Sequence, residues 1–297
     1  MRVAAGPEHD KPEACLYVVL ESPPESHDRL IRELIAPVVQ GIRNDENLHS
    51  LFFVRYADPT WQLRFRVLGR PDWIDGIVRP RLARAILPFS ESDLIGGIEY
   101  GAYAREWDRY GGPRGMELAE RLFLHDSLAC LAVLEAEAQG LLRTSRREYS
   151  LMFTERFLDL FDFDASRRRQ FYLEGHAWAF RDGVFRDEDR ARLDRQFTTL
   201  REGLREGLRD LRSEDPARVF GGPEPARIAA SCLAAMQPVA AELLAAHAAG
   251  EIQPGLVALV WSYAHLHCNR LGIDLVPEAI LRYLMFRVYE EGTGPSS

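Results

Sequence analysis

The chain has 297 residues, 46% of them hydrophobic and 10% aromatic, a composition that excludes disorder over most of its length. Its 45 acidic residues outnumber 37 basic ones, and the resulting net charge of -8 argues against direct binding to nucleic-acid backbone. A single lysine, Lys11, stands among those basic residues, so nearly all the positive charge is arginine.

The first third reads as mixed α/β. Cys15–Leu20 is a short apolar run suited to a strand. Ser26 is placed to cap a helix whose stripe is Leu30, Ile31, Leu34, Ile35 and Val38. Leu51–Tyr56 and Gln62–Val67 form a β-hairpin signature around a loop of turn residues, Ala57-Asp58-Pro59-Thr60-Trp61. A helix near Ile74–Leu87 and a strand at Leu94–Tyr100 follow.

After Gly111-Gly112-Pro113 the period becomes helical. Leu193, Phe197, Leu200, Leu204, Leu208 and Leu211 form a narrow stripe, which fits packing on a neighbouring helix or a homodimer seam. Gly221–Glu224 reads as a loop. Ile228–Gly250 is alanine-rich and contains Pro238, so it reads as a helix pair or a kinked helix rather than a membrane span. Helices at Leu256–Leu271 and Pro277–Glu290 close the chain. The fold class is α+β: a sheet-containing N-terminal third, then a predominantly helical bundle. One domain is expected, with an α/β part over 13–112 and a helical part over 113–292.

Cys15, Cys130, Cys232 and Cys268 are dispersed, without the spacing of a zinc site or a disulfide framework. Residues 1–14 have no signal-peptide core, and a cytoplasmic chain is expected. GxGxxG after a strand, GxxxxGK[ST], HExxH and GxSxG are all missing, so nucleotide, zinc-hydrolase and serine-elbow chemistry lack their signatures.

Three segments carry candidate chemistry. Arg64 and Arg66 share one strand face while Leu63, Phe65 and Val67 turn to the other, and Arg55 lies on the preceding strand. Paired guanidiniums suit a carboxylate or phosphate; the plainer reading is a solvated strand face. Glu106 and Arg109, within Tyr103–Gly112, are one helical turn apart, either an anion-binding group with its partner or an ordinary surface pair. Ser262, His265 and Asn269 make a polar stripe on an apolar helix, and His265 is the group suited to proton transfer near neutral pH. His265 and His267 fall on nearly opposite faces, so they do not chelate one metal together.

In order along the chain, Phe52-Phe53-Val54-Arg55-Tyr56-Ala57-Asp58-Pro59 with Leu63-Arg64-Phe65-Arg66, then Tyr103–Gly112, then Ala119–Phe123 with Asp126-Ser127, and Ser262–Leu271 resemble blocks of one family. The family is the class I lanthipeptide dehydratases, and more narrowly their C-terminal glutamate-elimination domain, which also occurs alone in thiopeptide clusters. The resemblance runs from about residue 15 to 290.

The resemblance implies a lyase. A separate glutamylating subunit uses glutamyl-tRNA to esterify Ser or Thr of a leader–core precursor peptide. The elimination domain then expels glutamate, leaving dehydroalanine or dehydrobutyrine, with no cofactor and no metal. It implies catalytic positions at Arg64, Arg66, Glu106, Arg109 and His265, and substrate contacts at Arg55, Gln62, Tyr103, Ser262 and Asn269. The chain lacks a glutamylating portion and resembles the split form, which needs that partner. One departure is Gln62, where the family usually has His; Gln hydrogen-bonds but does not titrate. Two alternatives stand beside elimination: a thiopeptide pyridine synthase, joining two dehydroalanines by a formal aza-[4+2] cycloaddition with leader release, and a non-catalytic scaffold that binds the peptide or the glutamylating partner. Retention of the five polar positions favours elimination.

Overall fold

The computed structural model describes residues 13–89, 92–213 and 215–292; the N-terminal stretch read for a signal segment, with Lys11, falls mostly outside them. The chain divides into two compact units, Met1–Ala104 and Arg105–Ser297.

The first unit is built on an antiparallel sheet of β1 (Ala14–Glu21), β2 (Leu48–Tyr56), β3 (Gln62–Gly69) and β4 (Gly97–Gly101), in the order β2-β3-β1-β4. β2 and β3 form the expected hairpin, and β4 is shorter than the apolar run suggests. Alternation sorts the side chains. Leu16, Val18, Leu20, Leu51, Phe53, Leu63, Phe65 and Val67 share one face and are buried. On that side lie α1 (27–40) and α2 (71–86), each with a π-helical turn in its middle. The expected cap at Ser26 does not form: Ser26 closes a 3₁₀ turn entered through Pro23 and Pro24, its side chain makes no capping bond, and it is buried.

The second unit is helical: α3 (Trp107–Tyr110), α4 (Gly112–Ala138), α5 (Arg146–Asp159), α6 (Ala165–Arg181), α7 (Asp187–Asp210), α8 (Pro223–Ala248), α9 (Leu256–Arg270) and α10 (Leu275–Glu290). α5 starts with a capping box between Ser145 and Glu148, and Asp164 caps α6 by accepting from the Arg167 N–H. The leucine stripe of α7 packs within the chain. Leu193 and Phe197 are buried, Leu193 in a core cluster with Tyr283 of α10, while Leu200 stays exposed.

α8 is one helix rather than a pair, with Pro238 inside it. By length and composition it is apolar enough to cross a membrane, a test that core helices also pass. Here its Ile228, Cys232, Val239 and Leu243 are buried, it packs on α4, and Glu242 binds Arg114 and Arg121 of α4.

Candidate active-site residues

β3 delivers Arg64 and Arg66 to one face of the sheet, as its alternation requires. Neither is a solvated surface arginine. Arg64 Nε donates to Gln62 Oε1 at 2.9 Å, and its guanidinium carbon stands 3.5 Å above the Tyr56 ring. The Arg66 guanidinium carbon lies 4.2 Å from the Tyr17 ring, 5.1 Å from Tyr103 and 5.3 Å from Phe52. Its Nε is buried without a hydrogen-bond partner. Burial pushes the Arg66 guanidinium below its ordinary value, opposed by Tyr17 and Tyr103, but an arginine stays charged throughout. Among the described residues, no carboxylate pairs with either arginine.

Gln62, where the family usually has His, thus serves as the acceptor that orients Arg64. Tyr103 is part of the aromatic surround of Arg66. Arg55 does not join them. It pairs in register with Leu63, so it points to the opposite face, where it donates to Asp28 of α1 at 2.6 Å.

In the second unit α3 holds Glu106 and Arg109 together. The turn ends at Gly111, whose φ of 84° and a position for Cβ only 2.4 Å from an Ile252 methyl both demand glycine. Arg109 donates through Nη1 to Glu106 Oε2 at 3.0 Å and through Nε to Ser262 Oγ at 3.3 Å. Ser262 in turn donates to the Ala258 carbonyl. Burial works against the Arg109 charge, but Tyr110 and Glu106 outweigh it and hold the group above its ordinary value. Glu106 itself is 60% exposed, so the pair orients Arg109 more than it stabilises the fold.

One turn further along α9, His265 is half-buried. Its ring stacks on Trp261 at 5.3 Å and 5°, and its Nδ1 lies 2.7 Å from Glu278 Oε2 on α10. Arg282 donates to the other oxygen of Glu278. Asn269 is half-buried on the same helix.

His267 differs in kind. It is buried, stacked on Phe153 at 4.1 Å, and its Nδ1 lies 2.6 Å from Asp126 Oδ1, whose other oxygen takes Arg270 at 2.5 Å. Cys130 Sγ lies 3.7 Å from the same Nδ1. Asp126, Cys130 and His267 therefore cluster as metal ligands can. A 2.6 Å nitrogen–oxygen contact is nevertheless a hydrogen bond; two ligands of one tetrahedral ion stand about 3.3 Å apart. A second unforeseen pair is Arg105 with buried Glu120.

Gln62, Arg64, Arg66 and Tyr103 thus belong to the first unit, and Glu106, Arg109, Ser262, His265 and Asn269 to the second.

A family model described as lantibiotic biosynthesis dehydratase C-term matches residues 16–289. The subtilin biosynthesis protein SpaB of Bacillus subtilis is 27% identical over 147 residues, 50% of this chain and 14% of that protein. Among solved structures, the tRNA-dependent lantibiotic dehydratase MibB from Microbispora sp. 107891 superposes with a TM-score of 0.66 at 21% identity, covering 97% of this chain and 29% of that one. TsrL gives 0.67 at 19% identity, over 94% and 95% of the two chains. The pyridine synthase TbtD from thiomuracin biosynthesis gives 0.69 at 16%, over 94% and 98%. The chain therefore spans under a third of MibB and a smaller share of SpaB, and at these identities the structural likeness is one of fold.

Proposed function

The chain belongs to the C-terminal lantibiotic dehydratase family, and we propose that within it the chain eliminates glutamate from glutamylated Ser or Thr of a ribosomal precursor peptide. The carrying observation is that Arg64 and Arg66, half-buried among aromatic rings, have no carboxylate of the protein's own among the described residues. A guanidinium removed from water without a counter-charge is costly, and it suits a carboxylate that arrives with the substrate.

The reaction balances without a cofactor. The Cα proton leaves to a base, its electron pair forms the Cα–Cβ double bond, and the Cβ–O bond breaks to release glutamate. Arg64, Arg66 and Arg109 stabilise the enolate-like charge and the departing carboxylate; His265 moves the proton; Glu106 and Ser262 hold Arg109. Glutamylation is a separate activity, assigned to a glutamyl-tRNA-dependent partner, with which the chain would act in the cytoplasm.

The second reading is a pyridine synthase, the activity named for TbtD, with which this chain shares its fold. Purified protein incubated with a glutamylated precursor peptide, and separately with a dehydrated one, tests both by mass spectrometry. Dehydroamino acids from the first support elimination. Ring formation with leader release from the second supports cycloaddition. No change in either leaves only a binding scaffold.

A further inference from the structure

Glu278 lies outside every block that carries the family resemblance, yet it is the direct partner of His265. It sits in the first turn of α10, is 3% exposed, and receives His265 Nδ1 on one oxygen and Arg282 on the other. Although burial pushes its carboxyl up, His265 and Arg282 outweigh that and hold it below the usual range, so it is ionised and only accepts hydrogen bonds. In the neutral ring the proton that faces this carboxylate is therefore on Nδ1. Nε2 is then the acceptor, on a ring 19% exposed and with no partner among the described residues. Stacking on Trp261 fixes the plane in which Nε2 points.

His267 provides the internal contrast. It makes the same Nδ1–carboxylate bond to Asp126, but its Nε2 is buried and its ring is enclosed by Phe153 and Tyr149. The same device two residues apart thus serves packing in one ring and presentation in the other.

We propose that Glu278 is a positioning residue for His265, fixing the Nδ1–H tautomer so that Nε2 is the atom that takes the proton. This rests on the reading that His265 moves a proton in elimination.

The Arg282 guanidinium sets up the test, because it needs an acceptor. In Glu278→Gln the amide oxygen faces Arg282, which turns the amide NH₂ toward His265 Nδ1 and drives the ring to the Nε2–H form. Long-range ¹H–¹⁵N spectra of the full chain labelled in histidine, at a pH where free imidazole is neutral, read the tautomer directly; His265→Asn assigns the resonances. The wild type is expected to show Nδ1–H at His265, and Glu278→Gln to show Nε2–H with elimination reduced about 100-fold at unchanged KM. Glu278→Asp, which keeps a carboxylate, is expected to recover Nδ1–H and part of the rate. A wild-type ring in the Nε2–H form overturns the proposal without any variant, as does Glu278→Gln that keeps the wild-type tautomer or turnover. Should the wild type not eliminate at all, the functional reading fails while the spectra still decide the role of Glu278.

Discussion

Arg66 of β3 and Tyr17 of β1 are directly paired across the sheet, and the Arg66 guanidinium carbon lies 4.2 Å from the Tyr17 ring. With Phe52 paired on its other side and Tyr103 nearby, Arg66 is held by π-faces rather than by a carboxylate. Rings fix its direction without neutralising it, which is what an arginine reserved for an incoming anion requires.

Replacing Arg66 by Ala should therefore leave a folded protein on which glutamylated peptide accumulates. Loss of a preorganised charge predicts elimination slower by about 100-fold or more, read by mass spectrometry. Arg66→Lys should recover little, because an ammonium does not grip a carboxylate in fork geometry. A lysine variant with full turnover would show that charge alone suffices.

Gln62 acts through Arg64. Removing its amide in Gln62→Ala deletes the 2.9 Å bond to Arg64 Nε and frees that side chain over Tyr56. One charge-assisted hydrogen bond is worth about 1.5 kcal/mol, so the expected loss in kcat/KM is roughly tenfold. Since Gln does not titrate, the pH profile of kcat/KM should keep its shape in the alanine variant, and a changed limb would contradict the assignment.

Stability should fall on mild acidification through His27. Its Nε2–H donates to the Ser22 carbonyl while Nδ1 is buried without a hydrogen-bond partner, and burial, then the charge of Arg55, lowers its pKa from 6.5 to about 4. Below pH 6.5 the unfolded chain takes up a proton that the folded chain refuses. The contribution of the neutral ring is thus complete above that pH and is lost as pH falls toward 4. Thermal unfolding across this window should be steeper in wild type than in His27→Gln, and equal slopes would remove His27 as the cause.

The pair Asp126–Arg270, with His267, is a fold element. Asp126→Asn leaves a buried guanidinium without its counter-charge, and such losses run to about 3–5 kcal/mol. Urea unfolding measures it. A midpoint equal to wild type would mean that the network is not needed for stability.

What was legible in the sequence was what is local. Alternation on β3 sorted Arg64 and Arg66 from Leu63, Phe65 and Val67, and Gly111 marked the end of the α3 turn. Arg55, a substrate contact by resemblance, faces away from them, which spacing alone did not show because its face depends on hairpin register: it sits opposite Leu63. The helix-pair reading of α8 gave Pro238 too much weight; packing on α4 carries the helix through the missing hydrogen bond. Glu278 was not found because no spacing links it to His265. The two meet only when α10 packs against α9, and the one local hint was the Glu278–Arg282 pair four residues apart.

The central claim is tested most directly by free glutamate. A precursor peptide carrying isotope-labelled glutamyl esters, incubated with the purified protein, should release labelled glutamate one-for-one with appearance of dehydroamino acids, and Arg66→Ala should release it about 100-fold more slowly. Label that stays on the peptide, or that leaves as glutamate while the Ser or Thr hydroxyl returns, would contradict the account.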